Sequence, residues 1–218
     1  METKNKIVGF FRGTGSTYGE IAKTIIFFLA AVIIFKYFIF KPFLVSGTSM
    51  EPSFHDGQYL VVNQFNYLFG SPKRGDAVVF RHPEPACDDY MKAHPIIQRF
   101  TADEPSLGGT CTNFIKRVIG LPGESVTVKD GKVFVKNTQN PEGMELKESY
   151  IADGVQTLGA QTVDLGKNEY YVLGDNRLPN ASSDSRTWGI LPKDHIVGRS
   201  FLVLYPFSDI GITSRPKY

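Results

Sequence analysis

Hydrophobic and polar positions along the chain follow two different rules. From Ile21 to Phe40 the sequence reads IAKTIIFFLAAVIIFKYFIF, apolar but for a few positions. A helix of that length rises about 30 Å, the thickness of a hydrocarbon core, so the pattern predicts a transmembrane helix over 21–40. Lys23 and Lys36 sit near its two ends, where long stems carry the ammonium groups to the headgroups. A cleaved signal peptide is the competing reading, because a basic start precedes the apolar run Ile25–Phe35. The bulky stretch Lys36-Tyr37-Phe38-Ile39-Phe40 lacks the small residues a cleavage site needs, and Val45-Ser46-Gly47 fits one poorly.

Beyond Lys41 the pattern changes to short runs of Val, Ile, Phe and Tyr broken by Gly, Pro, Asn and Asp. It predicts strands over Gln58–Asn63, Ala77–Arg81, Phe114–Ile119, Ser125–Val128, Lys132–Val135, Glu169–Leu173 and Val197–Leu204. Lys129-Asp130-Gly131 between VTV and KVFV reads as a tight hairpin, since glycine accepts positive φ. The expected fold is mostly β. Residues 82–112, rich in Pro, Asp and Gly, and the polar residues 137–148 read as inserted surface loops.

Composition changes the picture only when it is divided. The 218 residues carry 24 Lys+Arg against 22 Asp+Glu, a net of +2. Residues 1–41 hold Lys4, Lys6, Arg12, Lys23, Lys36 and Lys41 against Glu2 and Glu20, a net of +4, which leaves the other 177 residues at −2. A basic field over the folded part, expected of a nucleic-acid-binding protein, is missing, so nucleic acid is not an expected partner. The cations before the span put the amino end inside and the residues after it outside. The organisation expected is a cytoplasmic segment 1–20, a transmembrane helix 21–40 and an extracytoplasmic β-rich domain 41–218. Cys87 and Cys111, the only cysteines, fall in the first inserted loop. Outside the cytoplasm a disulfide there would contribute about 3 kcal/mol. They have no paired spacing for zinc, and neither a metal nor a cofactor is expected.

Four segments concentrate candidate chemistry. Ser46-Gly47-Thr48-Ser49-Met50-Glu51-Pro52 can hold a serine hydroxyl on a sharp turn with amides free for an oxyanion, although such turns are also common structural elements. Arg74-Gly75-Asp76 before Ala-Val-Val-Phe matches an adhesion tripeptide but reads as a turn entering a buried strand. In Phe114-Ile115-Lys116-Arg117-Val118-Ile119-Gly120-Leu121-Pro122-Gly123, strand alternation sends Lys116 and Arg117 to opposite faces. Taken alone this allows a snorkelling edge lysine or a desolvated lysine acting as general base. The second needs a pKa about three units below the ordinary value of about 10.4, or about 4 kcal/mol against the ammonium, which burial supplies. The fourth is Gly174-Asp175-Asn176-Arg177 followed by Ser182-Ser183-Asp184-Ser185-Arg186-Thr187-Trp188-Gly189. There Asp184 and Arg186 suit a loop-fixing pair, and Asn180-Ala181-Ser182 matches a glycosylation acceptor.

As an ordered set, GxSMxP, RGDxVVF, KRVIGLPG and GDNR…SxDSRxWG resemble bacterial type I signal peptidases, the membrane-anchored serine-lysine peptidase family, from residue 21 to about 205. The resemblance implies a membrane-anchored, β-rich catalytic domain of signal-peptidase type behind one transmembrane helix. The enzyme would sit in the bacterial cytoplasmic membrane, with its catalytic domain on the periplasmic or extracellular side. It implies a serine endopeptidase that removes signal peptides after small residues at −1 and −3. The partners implied are secreted preproteins, the lipid bilayer and proximity to the secretion translocon.

Carried onto this sequence, the resemblance makes Ser49 the nucleophile and Lys116 the general base. Ser182 becomes the hydroxyl that orients the lysine amine, Asp184 and Arg186 a supporting ion pair, and Asp175 a loop-positioning residue. The Ser49 amide becomes one oxyanion donor. Gly47 stands where some Gram-negative members carry a serine side chain as the second, which leaves Ser46, Thr48 or further backbone to supply it. Phe43, Val45, Phe114 and Ile115 fall where the family lines its substrate pockets. None of the four histidines is needed. Two other readings fit the anchor and the β domain: a same-superfamily peptidase with a single substrate, as in conjugative pilus assembly, and a non-enzymatic interaction domain tethered to the membrane.

Overall fold

The computed structural model describes residues 17–34, 40–65, 67, 70–94 and 111–218. They belong to two compact units divided between Ile39 and Phe40.

The first unit contributes helix α1 (Thr17–Ile34). Glu20 lies in its first turn, where a carboxylate complements the helix dipole, and pairs with Lys23 at 3.1 Å. Ile26, Phe27, Phe28 and Leu29 cover more than one face and are each more than half exposed. Among the described residues, no helix is long and apolar enough to cross a membrane. The far bound expected for the span, Phe40, is corrected. The described helix covers Thr17–Ile34, residues 35–39 with Lys36 lie outside the described residues, and Phe40 opens a strand. Pro42 contributes to this extended strand, because the residue before a proline, here Lys41, is pushed out of the helical region.

The second unit is built from twelve antiparallel strands among the described residues. They are β1 (Phe40–Leu44), β2 (Tyr59–Asn63), β3 (Ala77–Arg81), β4 (Asn113–Gly120), β5 (Ser125–Lys129), β6 (Lys132–Lys136), β7 (Met144–Glu145), β8 (Gln161–Asp164), β9 (Glu169–Leu173), β10 (Leu191–Pro192), β11 (Ile196–Tyr205) and β12 (Gly211–Ile212). The main sheet has the order β1-β2-β11-β3-β4-β9-β10, with β12 added to β11, and a smaller sheet has the order β7-β6-β5-β8. The mostly β expectation holds.

Burial explains which strands the sequence advertised. Every residue of β3 is buried, so Ala-Val-Val-Phe is continuously apolar, as a strand covered on both faces must be. β5 and β6 bury alternate residues. Their turn has positive φ at Asp130 (51°) and Gly131 (76°), the geometry of a two-residue type I′ hairpin. β1 was hidden by the apolar run that leads into it. Its Pro42 is tolerated because β1 is an edge strand, where a missing N–H need not serve a ladder.

The two expected loops are more structured than their composition suggested. Within 82–112 lies helix α2 (Pro85–Ala93), with proline at its start and Cys87 and Met91 buried one turn apart. Cys87 is joined to Cys111 in a disulfide; residues 95–110 lie outside the described residues. Within 137–148, Asn137 Oδ1 accepts the backbone N–H groups of Gln139 and Asn140, β7 pairs with β6, and Leu146 enters the core of the smaller sheet. A polar stretch thus still places one apolar side chain inward.

Candidate active site

Ser49 stands on a closed excursion between β1 and β2. Its neck is tied by Val45 N–H to Gln58 O (2.9 Å) and Gly57 N–H to Val45 O (3.0 Å). Met50 and Phe54, the apolar residues of the excursion, are buried beside Val45, Leu60, Val62 and Ile115, which holds the loop down on the sheet. Gly47 has φ +88°, a region that glycine enters at little cost. Its N–H donates to Asp56 Oδ1 at 2.7 Å.

Lys116 comes from β4, opposite Val78 of β3 in the ladder. Its side chain is buried, and Nζ lies 2.6 Å from Ser49 Oγ and 3.0 Å from Ile115 O. Nζ also stands 5.5 Å over the Phe114 ring. Burial pushes the ammonium down to about 8, against the pull of Asp184 and Asp175, which favour the charged form. Lys116 is thus buried and does not snorkel at a strand edge. Arg117 leaves the opposite face and makes a two-pronged ion pair with Asp175, while its Nη1 donates to Gly75 O. That pair fixes the turn after β9 to the strand that carries Lys116.

Asp184 collects the loop around it. Its Oδ2 accepts from Gly174 N–H (3.0 Å), Ser182 Oγ (2.8 Å) and Arg186 Nη2 (2.8 Å), and its Oδ1 accepts from Arg186 Nε (2.8 Å). Oδ1 also caps the short helix α3 (Ser185–Trp188) through Arg186 N–H. Burial acts to raise the Asp184 carboxyl, but the Arg186 bonds and charge, with Gly174 and Ser182, hold it below its ordinary value. The expected Asp184–Arg186 pair is therefore in place. The contact expected of Ser182 is corrected. Its hydroxyl donates to Asp184, and among the described residues no hydrogen bond joins it to Lys116, whose second partner is its own strand's Ile115 carbonyl.

Phe43, Phe114 and Ile115 line an open cleft of about 370 Å³ together with Leu44, Ser46, Thr112, Asn113, Ser183, Ser49 and Lys116. Val45 is not among these lining residues; it is buried in the core under Met50, a correction explained by its place at the neck of the excursion. Of the backbone groups left open as a second oxyanion donor, the Gly47 N–H is committed to Asp56. The Ser49 N–H has no acceptor among the described residues. β9 pairs with β4 only from Arg117 to Gly120, so one edge of Asn113–Lys116 opens beside the cleft.

Sequence reasoning missed three residues that hold this site. Asn176 donates its N–H to Ser49 O and its Nδ2 to Thr48 O, both at 3.1 Å. Arg177 is fully buried and donates to Gly174 O, Glu148 and Thr157. The GDNR motif contained both as a signal, but nothing in the sequence singled out Asp56. Arg74-Gly75-Asp76 is structural. Asp76 is buried, its Oδ2 accepting from Tyr67 and from Lys73 N–H and its Oδ1 from Arg215. Arg74 holds Glu124 and the Ile119 carbonyl.

Residues 18–205 match the family described as signal peptidase, peptidase S26. Signal peptidase I of Bacillus amyloliquefaciens is 34% identical over 208 residues, covering 91% of each chain. Signal peptidase I T of Bacillus subtilis (strain 168) is 33% identical with the same coverage. A crystal structure of a signal peptidase I from Enterococcus faecalis V583 aligns with 59% of this chain and 96% of its own, at 23% identity and a TM-score of 0.38. With a match that takes in the Ser49 excursion, the Lys116 strand and the Asp184 loop, the chain belongs to the signal peptidase family of serine endopeptidases, peptidase S26.

Proposed function

We propose that the chain removes amino-terminal signal peptides from secreted preproteins, with Ser49 as nucleophile and Lys116 as general base. The observation that carries this reading is the 2.6 Å approach of a buried lysine amine, its pKa lowered to about 8, to the Ser49 hydroxyl. At pH 7 roughly a tenth of such an amine is neutral, against less than about 0.1% of an exposed one. Neutral Lys116 takes the Ser49 proton as Oγ bonds to the scissile carbonyl carbon. Collapse of the tetrahedral intermediate breaks the C–N bond, and the Lys116 ammonium returns the proton to the leaving amine. Water, deprotonated by Lys116, then attacks the acyl ester and releases the signal peptide carboxylate. The Ser49 N–H, without another acceptor among the described residues, is one donor to the oxyanion.

Asp184, Arg186, Ser182 and Asp175 act as positioning residues. The open edge of Asn113–Lys116 suits an extended substrate paired by its backbone. Phe43, Phe114 and Ile115 then favour small residues at −1 and −3. A single pass through the bacterial cytoplasmic membrane, amino end inside, is proposed for the apolar segment that contains α1 and ends before Phe40. The uncovered apolar surface of α1 supports it.

The test is incubation of the detergent-solubilised full chain with a preprotein carrying an Ala-X-Ala site. The new amino terminus is then read by mass. Cleavage directly after the second alanine is expected, and an intact preprotein or cleavage elsewhere overturns the reading. Sedimentation of the full chain with membranes after alkaline extraction is expected, and its release would overturn the anchor.

A further inference from the structure

The loop that carries Ser49 is gripped by Asn176, in the turn after β9. Asn176 donates its backbone N–H to Ser49 O and its Nδ2 to Thr48 O, each at 3.1 Å. Thr48 O also accepts Glu51 N–H at 3.1 Å, so the tight turn and Asn176 together fill both of its lone pairs. The carbonyl of Thr48 and the N–H of Ser49 belong to one planar trans peptide unit and point in opposite directions. A donor that fixes Thr48 O therefore fixes the direction of the Ser49 N–H. Holding Ser49 O in the same way fixes the Met50 N–H in the next unit.

Asn176 is itself firmly placed. Its Oδ1 accepts Leu178 N–H at 3.2 Å, closing a local turn. The residue before it, Asp175, is clamped by Arg117, and the residue after it, Arg177, is buried. Gly174 shows how closely the turn approaches the nucleophile. A Cβ there would stand 2.5 Å from Ser49 O and would collide with the Ser182 side chain.

We infer that Asn176 is a positioning residue for the oxyanion site, aiming the Ser49 N–H through its bond to the Thr48 carbonyl. The inference rests on the proposed Ser49 and Lys116 chemistry. Asn176 acts on the direction of an amide, not on the lysine proton, so its loss lowers kcat without moving the pH at which Lys116 titrates. Because Glu51 N–H remains on Thr48 O, the expected loss is about tenfold to hundredfold, below the cost of removing an oxyanion donor outright.

Asn176→Asp separates the two jobs of this side chain. An aspartate still accepts Leu178 N–H and keeps the turn, but it has no donor for Thr48 O. Asn176→Ala loses both. The full chain in detergent is assayed with a peptide substrate for kcat, KM and the pH profile, and with the matching peptide aldehyde, whose adduct with the serine is tetrahedral. Both variants are expected to lose about tenfold or more in kcat with KM within about twofold. Aldehyde affinity should fall by the same factor, and the Asn176→Ala profile should keep the wild-type midpoint.

Wild-type kcat in Asn176→Asp overturns the inference, as does a loss of equal size in affinity for the uncleaved peptide measured in a Ser49→Ala background. If one variant fails to fold, the other carries the comparison. Ser49→Ala alone distinguishes the two levels. Wild-type cleavage by it removes the dyad and this inference together. An inactive Ser49→Ala beside fully active Asn176 variants removes only the inference.

Discussion

Lys116 and Arg117 are successive residues of β4 whose buried side chains leave in opposite directions, the first to the Ser49 hydroxyl and the second to the Asp175 carboxylate. Strand alternation thus lets one dipeptide present a reacting group on one face and fasten the turn after β9 on the other. That turn reaches back to the Ser49 carbonyl through Asn176. The lysine strand and the serine loop are consequently joined twice, directly and through the Arg117–Asp175 pair.

Removing one partner of that pair leaves an uncompensated buried charge, and replacing both with apolar residues does not. Arg117→Met and Asp175→Leu are each expected to destabilise the fold by about 3–5 kcal/mol, and the double variant by less than the sum of the two. Denaturant unfolding of the three variants checks this. Single variants within about 1 kcal/mol of wild type would show that the pair holds little.

The Lys116 amine sets a pH dependence of defined sign. Its folded pKa of about 8 lies below the ordinary 10.5, so kcat/KM rises as pH increases through about 8. Between about 8 and 10.5 the folded chain binds fewer protons than the unfolded one, and stability therefore also rises with pH across that window. Lys116→Met is expected to abolish this part of the stability slope. Measured unfolding at pH 7.5 and pH 10 decides it, and an unchanged slope would place the titration elsewhere.

Ser182 is held by Asp184 and not by the lysine. Ser182→Ala is therefore expected to lower kcat by no more than about tenfold and to leave the pH midpoint in place. A loss of several hundredfold, in the range of general acid-base catalysis, or a displaced midpoint would instead put its hydroxyl on the amine during turnover.

The disulfide lies one residue before Thr112 and Asn113, which line the cleft. Thiol titration of the unreduced, denatured protein is expected to find no free thiol. Cys87→Ser with Cys111→Ser should lower stability by about 3 kcal/mol and raise KM more than it lowers kcat. Two titratable thiols, or a double variant of full stability, would contradict this.

The sequence made the buried strands legible because their signals are local. A continuous apolar run marks β3, and alternation around Asp130-Gly131 marks the hairpin of β5 and β6. β7, β10 and β12 are two residues long and leave no period to read. β1 was masked because its aromatic residues continue the hydrophobic segment before it. The site was legible as residue types on motifs. Which partner each side chain takes was not, because the motif allows Ser182 either Lys116 or Asp184, and the bond it makes, to Asp184, depends on the folded loop. Asp56 and Asn176 were overlooked for the same reason, since their partners are backbone groups brought near by the loop's folding.

The most direct test of the account is preprotein cleavage by purified Ser49→Ala and Lys116→Ala, each compared with wild type for rate and for melting temperature. Both variants are predicted to lose at least about 10⁴-fold in kcat while unfolding cooperatively near or above the wild-type temperature. Cleavage within about tenfold of wild type by either folded variant would contradict the Ser49–Lys116 assignment.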